Sequence, residues 1–316
     1  MTLPPAPSDS QHLTRAEIPA GHADLIERPL TAALSTLFPD GMPQTQPVWF
    51  SYEPPYVLIN TMRGFRKERN LRLDPRATLL VMDSLNSSRW LEIRGTTELI
   101  EAGAQAHLDS LAMRYAGVQH FIGGCVPAQL AAHEIPVIGR ITPLRIVDES
   151  SAERAHVPAT SPRTAQTTFG PAPEATPVPA THLDLLARPL IAVLTTLMPH
   201  GEPQTQPVWF SFEDGTLMVN TTRERQKGRN LERDHRATIL VVDPSNLNRW
   251  IEIRGDVEIE TNGALEHLDR LTRRYTNWPA FYGYVHPLEQ RRTESRIIAR
   301  IRPRHVVCDA IYSSSR

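Results

Sequence analysis

Two short basic clusters are the residues of this chain whose types and spacing best suit an anionic ligand. The first is Arg63, Lys67, Arg69 and Asn70, just after a strand-like run that ends in Asn60-Thr61. Thr61 puts a hydroxyl at a strand end. The cations stand at the start of a short helical segment, where free backbone N–H groups add to the attraction for a phosphate. The second cluster, Thr221, Arg223, Lys227, Arg229 and Asn230 after Asn220, repeats the first. On composition alone, a solvated basic helix explains such a cluster as well as a ligand site does. The retained spacing of Lys, Arg and Asn favours the ligand, because Arg66 has become Gln226 and Glu68 has become Gly228.

Two aromatic segments accompany the clusters. In Pro47-Val48-Trp49-Phe50 the alternation of a strand turns Val48 and Phe50 to one side and Trp49 to the other. Phe50 reads as core. Trp49 suits an interface and the wall of a ring-shaped ligand equally well. In Arg89-Trp90-Leu91-Glu92-Ile93-Arg94-Gly95, Trp90, Glu92 and Arg94 share a face. Glu92 with Arg94 reads as a structural ion pair, and Trp90 as a candidate cofactor wall. His107 and His267 lie on helical segments with too few companions for a metal site. No nucleophile set, P-loop, G-x-G-x-x-G or paired C-x-x-C is present. Any hard chemistry must then come from a cofactor.

These clusters recur because the chain is one unit written twice. Shifted by 160 positions, the sequence lies on itself: Pro43 to Ser51 is identical to Pro203 to Ser211, and Glu92 to Gly95 to Glu252 to Gly255. From Asp24 to Gly95 roughly 60% of positions match without a gap, far beyond chance. Pro207, Val208, Trp209 and Trp250 are thus the second-copy partners of Pro47, Val48, Trp49 and Trp90. Residues 1–22 read as an N-terminal extension, 23–147 and 182–316 as two domains, and 148–181 as an extended Pro/Ala/Thr-rich linker.

Within a copy, strands are expected at 30–37, 45–52, 57–61, 77–83, 90–100 and 137–147, with helices at 65–73 and 104–115. Six short strands with few helices imply a mainly β fold, a small antiparallel barrel. With 316 residues, 40% of them hydrophobic, and a net charge of −1, the chain can bury two cores. It has no basic surplus for nucleic acid or anionic membrane. Cys125 and Cys308 occupy unmatched positions, which argues against a disulfide framework and suits a reducing cytoplasm. No apolar run approaches the ~18 residues of a membrane helix.

Taken together, Leu34 to Leu37, Pro39 to Pro43, Pro47 to Phe50, Asn60-Thr61, Lys67 to Leu71, Asp74 to Arg76 and Glu92 to Gly95 resemble the pyridoxamine-phosphate-oxidase-like class. Within it they are most similar to the branch of deazaflavin (coenzyme F420)-dependent reductases. The resemblance covers both copies, and implies a split β-barrel that dimerises with cofactor sites at the subunit interface. It implies that Thr61, Lys67 and Asn70 hold the cofactor phosphate, helped by Arg63 and Arg69, with Pro47, Val48, Trp49 and Trp90 near the ring. The second-copy set is Thr221, Lys227, Asn230, Arg223, Arg229, Pro207, Val208, Trp209 and Trp250. Copy two departs at His200 for Asp40 and His235 for Pro75. The basic motif is not that of genuine pyridoxamine-phosphate oxidases, so vitamin B6 synthesis is not expected.

The expected activity is hydride transfer between a deazaflavin, or FMN as the alternative, and an unsaturated or electrophilic small molecule. The rival from another class is a non-enzymatic carrier of a flavin, deazaflavin or haem on the same barrel. Two tethered copies should pair within the chain, giving a monomeric pseudo-dimer. The two sites should differ: copy two carries Arg291, Arg292, Arg296, Arg300, Arg302 and Arg304, where copy one keeps only Arg140.

Overall fold

The computed structural model describes residues 15–154 and 175–309. Most of the N-terminal extension and the middle of the linker, residues 155–174, lie outside the described residues. Copy one runs α1 (Ala23–Glu27), β1 (Ala32–Leu37), β2 (Pro43–Val48), β3 (Phe50–Glu53), β4 (Tyr56–Met62), α2 (Arg66–Leu73), β5 (Arg76–Met82), β6 (Trp90–Ile100), α3 (Ala104–Ala116) and β7 (Pro136–Asp148). A short helix α4 (Glu149–Arg154) follows, where extended linker was expected. Copy two repeats the order as α5 (Leu183–Ala187), β8 (Ala192–Leu197), β9 (Pro203–Val208), β10 (Phe210–Glu213), β11 (Thr216–Thr222), α6 (Gln226–Arg233), β12 (Arg236–Asp243), β13 (Asn246–Glu260), α7 (Ala264–Thr276) and β14 (Arg296–Cys308).

Each copy forms a seven-stranded antiparallel sheet, ordered β2-β1-β5-β6-β7-β4-β3 in copy one. The two edge strands, β2 and β3, are consecutive in the chain with Trp49 alone between them. A sheet whose opposite edges are joined by one residue must curl until they meet, so the sheet is a barrel split at Trp49. The expected single strand at 45–52 is therefore two, which raises the count from six to seven. At the barrel's bend, Gly95 approaches the carbonyl of Thr142 so closely that a Cβ would lie 2.1 Å from that oxygen. The register of β6 on β7 shifts at this point.

Strand alternation separates two cores. Leu34, Phe50, Ile59, Leu79, Leu91 and Ile93 fill the first barrel. Ala33, Leu80, Trp90 and Val147 point outward and pack on Val193, Leu240 and Trp250 of the other copy. All six residues of β1 are buried for this reason: one face meets the barrel interior, the other the second copy. The contact is reciprocal. Ser35, Thr45, Thr195 and Thr205 cluster their hydroxyls with separations of 2.7–3.2 Å. The edge strands β2 and β9 leave backbone amides unpaired by the sheet, and carboxylates of the opposite copy accept them. Thr45 N donates to Glu252 at 2.7 Å, and Thr205 N to Glu92 at 2.7 Å. The retained Pro43–Ser51 block thus forms a pseudo-twofold interface inside one chain. The exchange of Asp40 for His200 keeps the cross-copy hydrogen bond, because a backbone oxygen accepts it in each case. Arg76 Nη1 donates to His200 O at 2.5 Å, and Arg236 Nη1 to Asp40 O at 2.6 Å.

Candidate functional site

Between the copies lies a cavity of about 550 Å³, a size suited to a small-molecule ligand. Copy one supplies Pro47, Val48, Trp49, Asn60, Thr61 and Lys67, with Phe65, Leu108 and Phe121. Copy two supplies Leu247, Asn248, Trp250 and Asp309. The split at Trp49 releases that indole from the sheet, and it stacks on Tyr115 with centroids 5.1 Å apart and planes 7° from parallel. The edge of Phe121 meets it at 6.0 Å. The Tyr115 hydroxyl is spent on the carbonyls of Leu30 at 3.0 Å and Phe50 at 3.1 Å, so Tyr115 fixes the indole by its ring.

The polar end is unsatisfied. Lys67 is 8% exposed and makes no hydrogen bond or ion pair among the described residues. Its removal from water pushes its pKa down to about 8, against an opposing pull from Glu252. Thr61 Oγ1 and Asn60 Oδ1 are buried beside it without partners among the described residues. Asn60 is held in place from behind: its Nδ2 donates to Ala104 O at 2.9 Å and to His107 Nδ1 at 3.2 Å. A buried cation and two orphaned oxygens lining one cavity are groups that a bound anion with hydroxyl or N–H groups would satisfy.

His107 and His267 are therefore positioning groups, and both sit below the usual histidine range because burial disfavours the charged ring. His267 is pushed down to about 4, with Arg270 and Arg300 assisting burial and Glu213 opposing it. Above pH ~6.5 both folded and unfolded chains hold it neutral. As pH falls from ~6.5 toward ~4, the unfolded chain takes up a proton that the folded chain refuses, and stability is lost. Unfolding free energy at pH 5 is expected about 2 kcal/mol below its value at pH 7.5 from this group alone. Denaturant titrations of wild type and His267→Gln check it: the variant should show a shallower pH dependence, and equal slopes would contradict the assignment.

The other sequence candidates go elsewhere. Arg63 is exposed and its Nε donates to Glu101 at 3.1 Å. Arg69 is exposed on the outer face of α2. Asn70 ties α2 to the sheet, with Nδ2 donating to Thr36 at 3.1 Å and Gln44 at 3.0 Å. None of the three lines the cavity. In copy two, Arg223 pairs with Glu232, Arg229 donates to Gln226 at 2.9 Å, and Asn230 repeats the tie to Thr196 and Gln204. Trp90 packs in the inter-copy core, and the tryptophan that reaches the copy-one cavity is Trp250, from across the pseudo-dimer. Pro207, Val208, Trp209, Asn220, Thr221 and Lys227 hold the equivalent places in copy two, and Trp209 stacks on Tyr275 at 5.2 Å. Glu92 and Arg94 do form a buried ion pair, at 2.8 Å. Two of the extra arginines in copy two are spent within the sheet, Arg302 on Glu258 at 2.8 Å and Arg304 on Asp256, while Arg300, the counterpart of Arg140, pairs with Glu260 at 3.4 Å. Among the described residues no group of three His, Cys, Asp or Glu side chains gathers as a metal site, and no helix is long and apolar enough to cross a membrane.

Residues 18–136 and 178–307 each match the family model described as pyridoxamine 5'-phosphate oxidase. No curated protein matches the chain. Among solved structures, one named F420 Reductase is 32% identical, covering 41% of this chain and 98% of its own, with a TM-score of 0.36. The conserved hypothetical protein Rv2991 of Mycobacterium tuberculosis is 24% identical, with 44% and 89% covered and a TM-score of 0.35. A putative pyridoxamine 5'-phosphate oxidase of Listeria innocua is 20% identical, with 40% and 94% covered and a TM-score of 0.31. Each spans about the length of one copy. With both halves matched, the chain belongs to the pyridoxamine 5'-phosphate oxidase family, as two units in one polypeptide.

Proposed function

We propose that the chain is an oxidoreductase that binds a deazaflavin (coenzyme F420), or FMN in its place, in the inter-copy cavity and acts on an unsaturated or electrophilic small molecule. The observation that carries this reading is the joining, in one cavity, of Lys67 and the orphaned Thr61 and Asn60 oxygens with the indoles of Trp49 and Trp250. Lys67 and Thr61 would hold the phosphate. Asn60, fixed by His107, would accept a hydrogen bond from the ligand. Trp49, backed by Tyr115, would meet a flat ring, and the buried Trp250 would form part of the wall that keeps water from it. The bound group would supply the hydride chemistry.

Titration of the purified protein with each cofactor tests the reading. The deazaflavin has an absorption band near ~420 nm and FMN one near ~450 nm, so the bound species is identified directly. Saturable binding with turnover of the reduced cofactor on an artificial acceptor supports an oxidoreductase. Tight binding without turnover on any acceptor would favour a carrier, and no binding of either would overturn the proposal.

A further inference from the structure

The two copies share a scaffold, but they differ in side chains at positions next to the cavity-lining residues. Copy two has Arg296 where copy one has Pro136, and Tyr282 where copy one has Ile122. Arg296 is 9% exposed. Its Nε donates to the Tyr282 hydroxyl at 2.8 Å and its Nη2 to Glu294 at 2.5 Å. Its guanidinium lies 4.8 Å from the centroid of Phe281. The Tyr282 hydroxyl also donates to Glu294, closing the set.

One atom decides what this set replaces. In copy one, Asn60 Oδ1 is buried beside the cavity without a partner among the described residues. In copy two the equivalent atom, Asn220 Oδ1, accepts from Arg296 Nη1 at 3.4 Å. A side chain of the protein thus meets the acceptor that the other copy leaves for a ligand. Phe281 and Tyr282 are correspondingly buried, whereas Phe121 and Ile122 are half-buried. Arg296 and Arg225 also add positive charge beside Lys227, which desolvation and these neighbours push down to about 7.

We propose that the chain keeps one ligand site, in copy one, and that Arg296, Tyr282 and Glu294 close the second from within. The inference rests on the functional reading above and adds that one polypeptide binds one flavin-type ligand. Thr221 Oγ1 remains unpartnered among the described residues and Lys227 keeps its place, so the framework of the second site survives behind the plug.

Equilibrium dialysis with FMN and with coenzyme F420 tests this on three forms of the full chain: wild type, Lys67→Ala, and Arg296→Pro with Tyr282→Ile, which restores the copy-one residues. Wild type should bind one equivalent per chain. Lys67→Ala should weaken that binding at least tenfold and reveal no tight site elsewhere. The double variant should bind two equivalents. Two equivalents in wild type, or one tight equivalent left in Lys67→Ala, would overturn the inference and leave the functional reading standing. A folded double variant that still binds one would remove the plug from the explanation. If thermal melting shows that this variant does not fold, the Lys67→Ala stoichiometry decides alone. No binding of either cofactor by folded wild type would overturn the functional reading, and the inference with it.

Discussion

Replacing Glu92 with alanine is expected to lower the unfolding free energy by about 3–5 kcal/mol. Glu92 is fully buried and serves both copies. Within copy one its two oxygens accept from Arg94 at 3.0 and 2.8 Å, and across the interface it accepts from Thr205 N at 2.7 Å. Its loss leaves a buried guanidinium without its anion and an edge-strand amide without an acceptor. Glu252 is the pseudo-symmetric residue, but Arg254 stands 3.6 Å away and burial pushes the Glu252 carboxyl up to about 7. It is thus partly neutral at physiological pH, and Glu252→Gln should cost far less than Glu92→Ala. Urea titrations of the two variants beside wild type check the ranking. A Glu92→Ala loss below ~1 kcal/mol would mean that the pair contributes little beyond its desolvation cost.

Lys67→Ala is expected to weaken cofactor binding by about 1.5–3 kcal/mol, roughly ten- to a hundredfold. Lys67 meets no anion of its own copy, and the nearest opposing charge, Glu252, comes from the other. A phosphate in the cavity favours the charged lysine, so affinity should be highest below pH 8 and fall as pH rises through that value. Binding measured from pH 6.5 to 9.5 should show this fall in wild type and a flatter profile in Lys67→Ala. An unchanged affinity in the variant would remove Lys67 from the site.

The sequence made much of this legible for physical reasons. Strand alternation sorted Leu91 and Ile93 from Trp90, Glu92 and Arg94, and the barrel and interface cores divide them the same way. The spacing that marked Lys67 did not separate it from Arg69, although the helical period does. Two residues along a helix are about 200° apart, so a helix that buries Lys67, Asn70 and Leu71 turns Arg66 and Arg69 to water. Tyr115 was readable in principle, because Arg114-Tyr115 recurs as Arg274-Tyr275 beside the drifted pairs Ala112-Met113 and Thr272-Arg273. The exchange of Trp90 for Trp250 in the copy-one cavity was not readable. It follows from how the barrels pack, and no local pattern encodes it. The Arg296 plug was equally hidden, since it depends on β14 passing beside Asn220 of β11.

The central claim is that one polypeptide forms the whole ligand site from its two copies. Native mass spectrometry of the purified chain loaded with excess cofactor tests it most directly. The account predicts a single 35.5 kDa chain carrying a flavin-type ligand. A ligand seen only on an assembly of about twice 35.5 kDa would contradict it, because the site would then need a second chain.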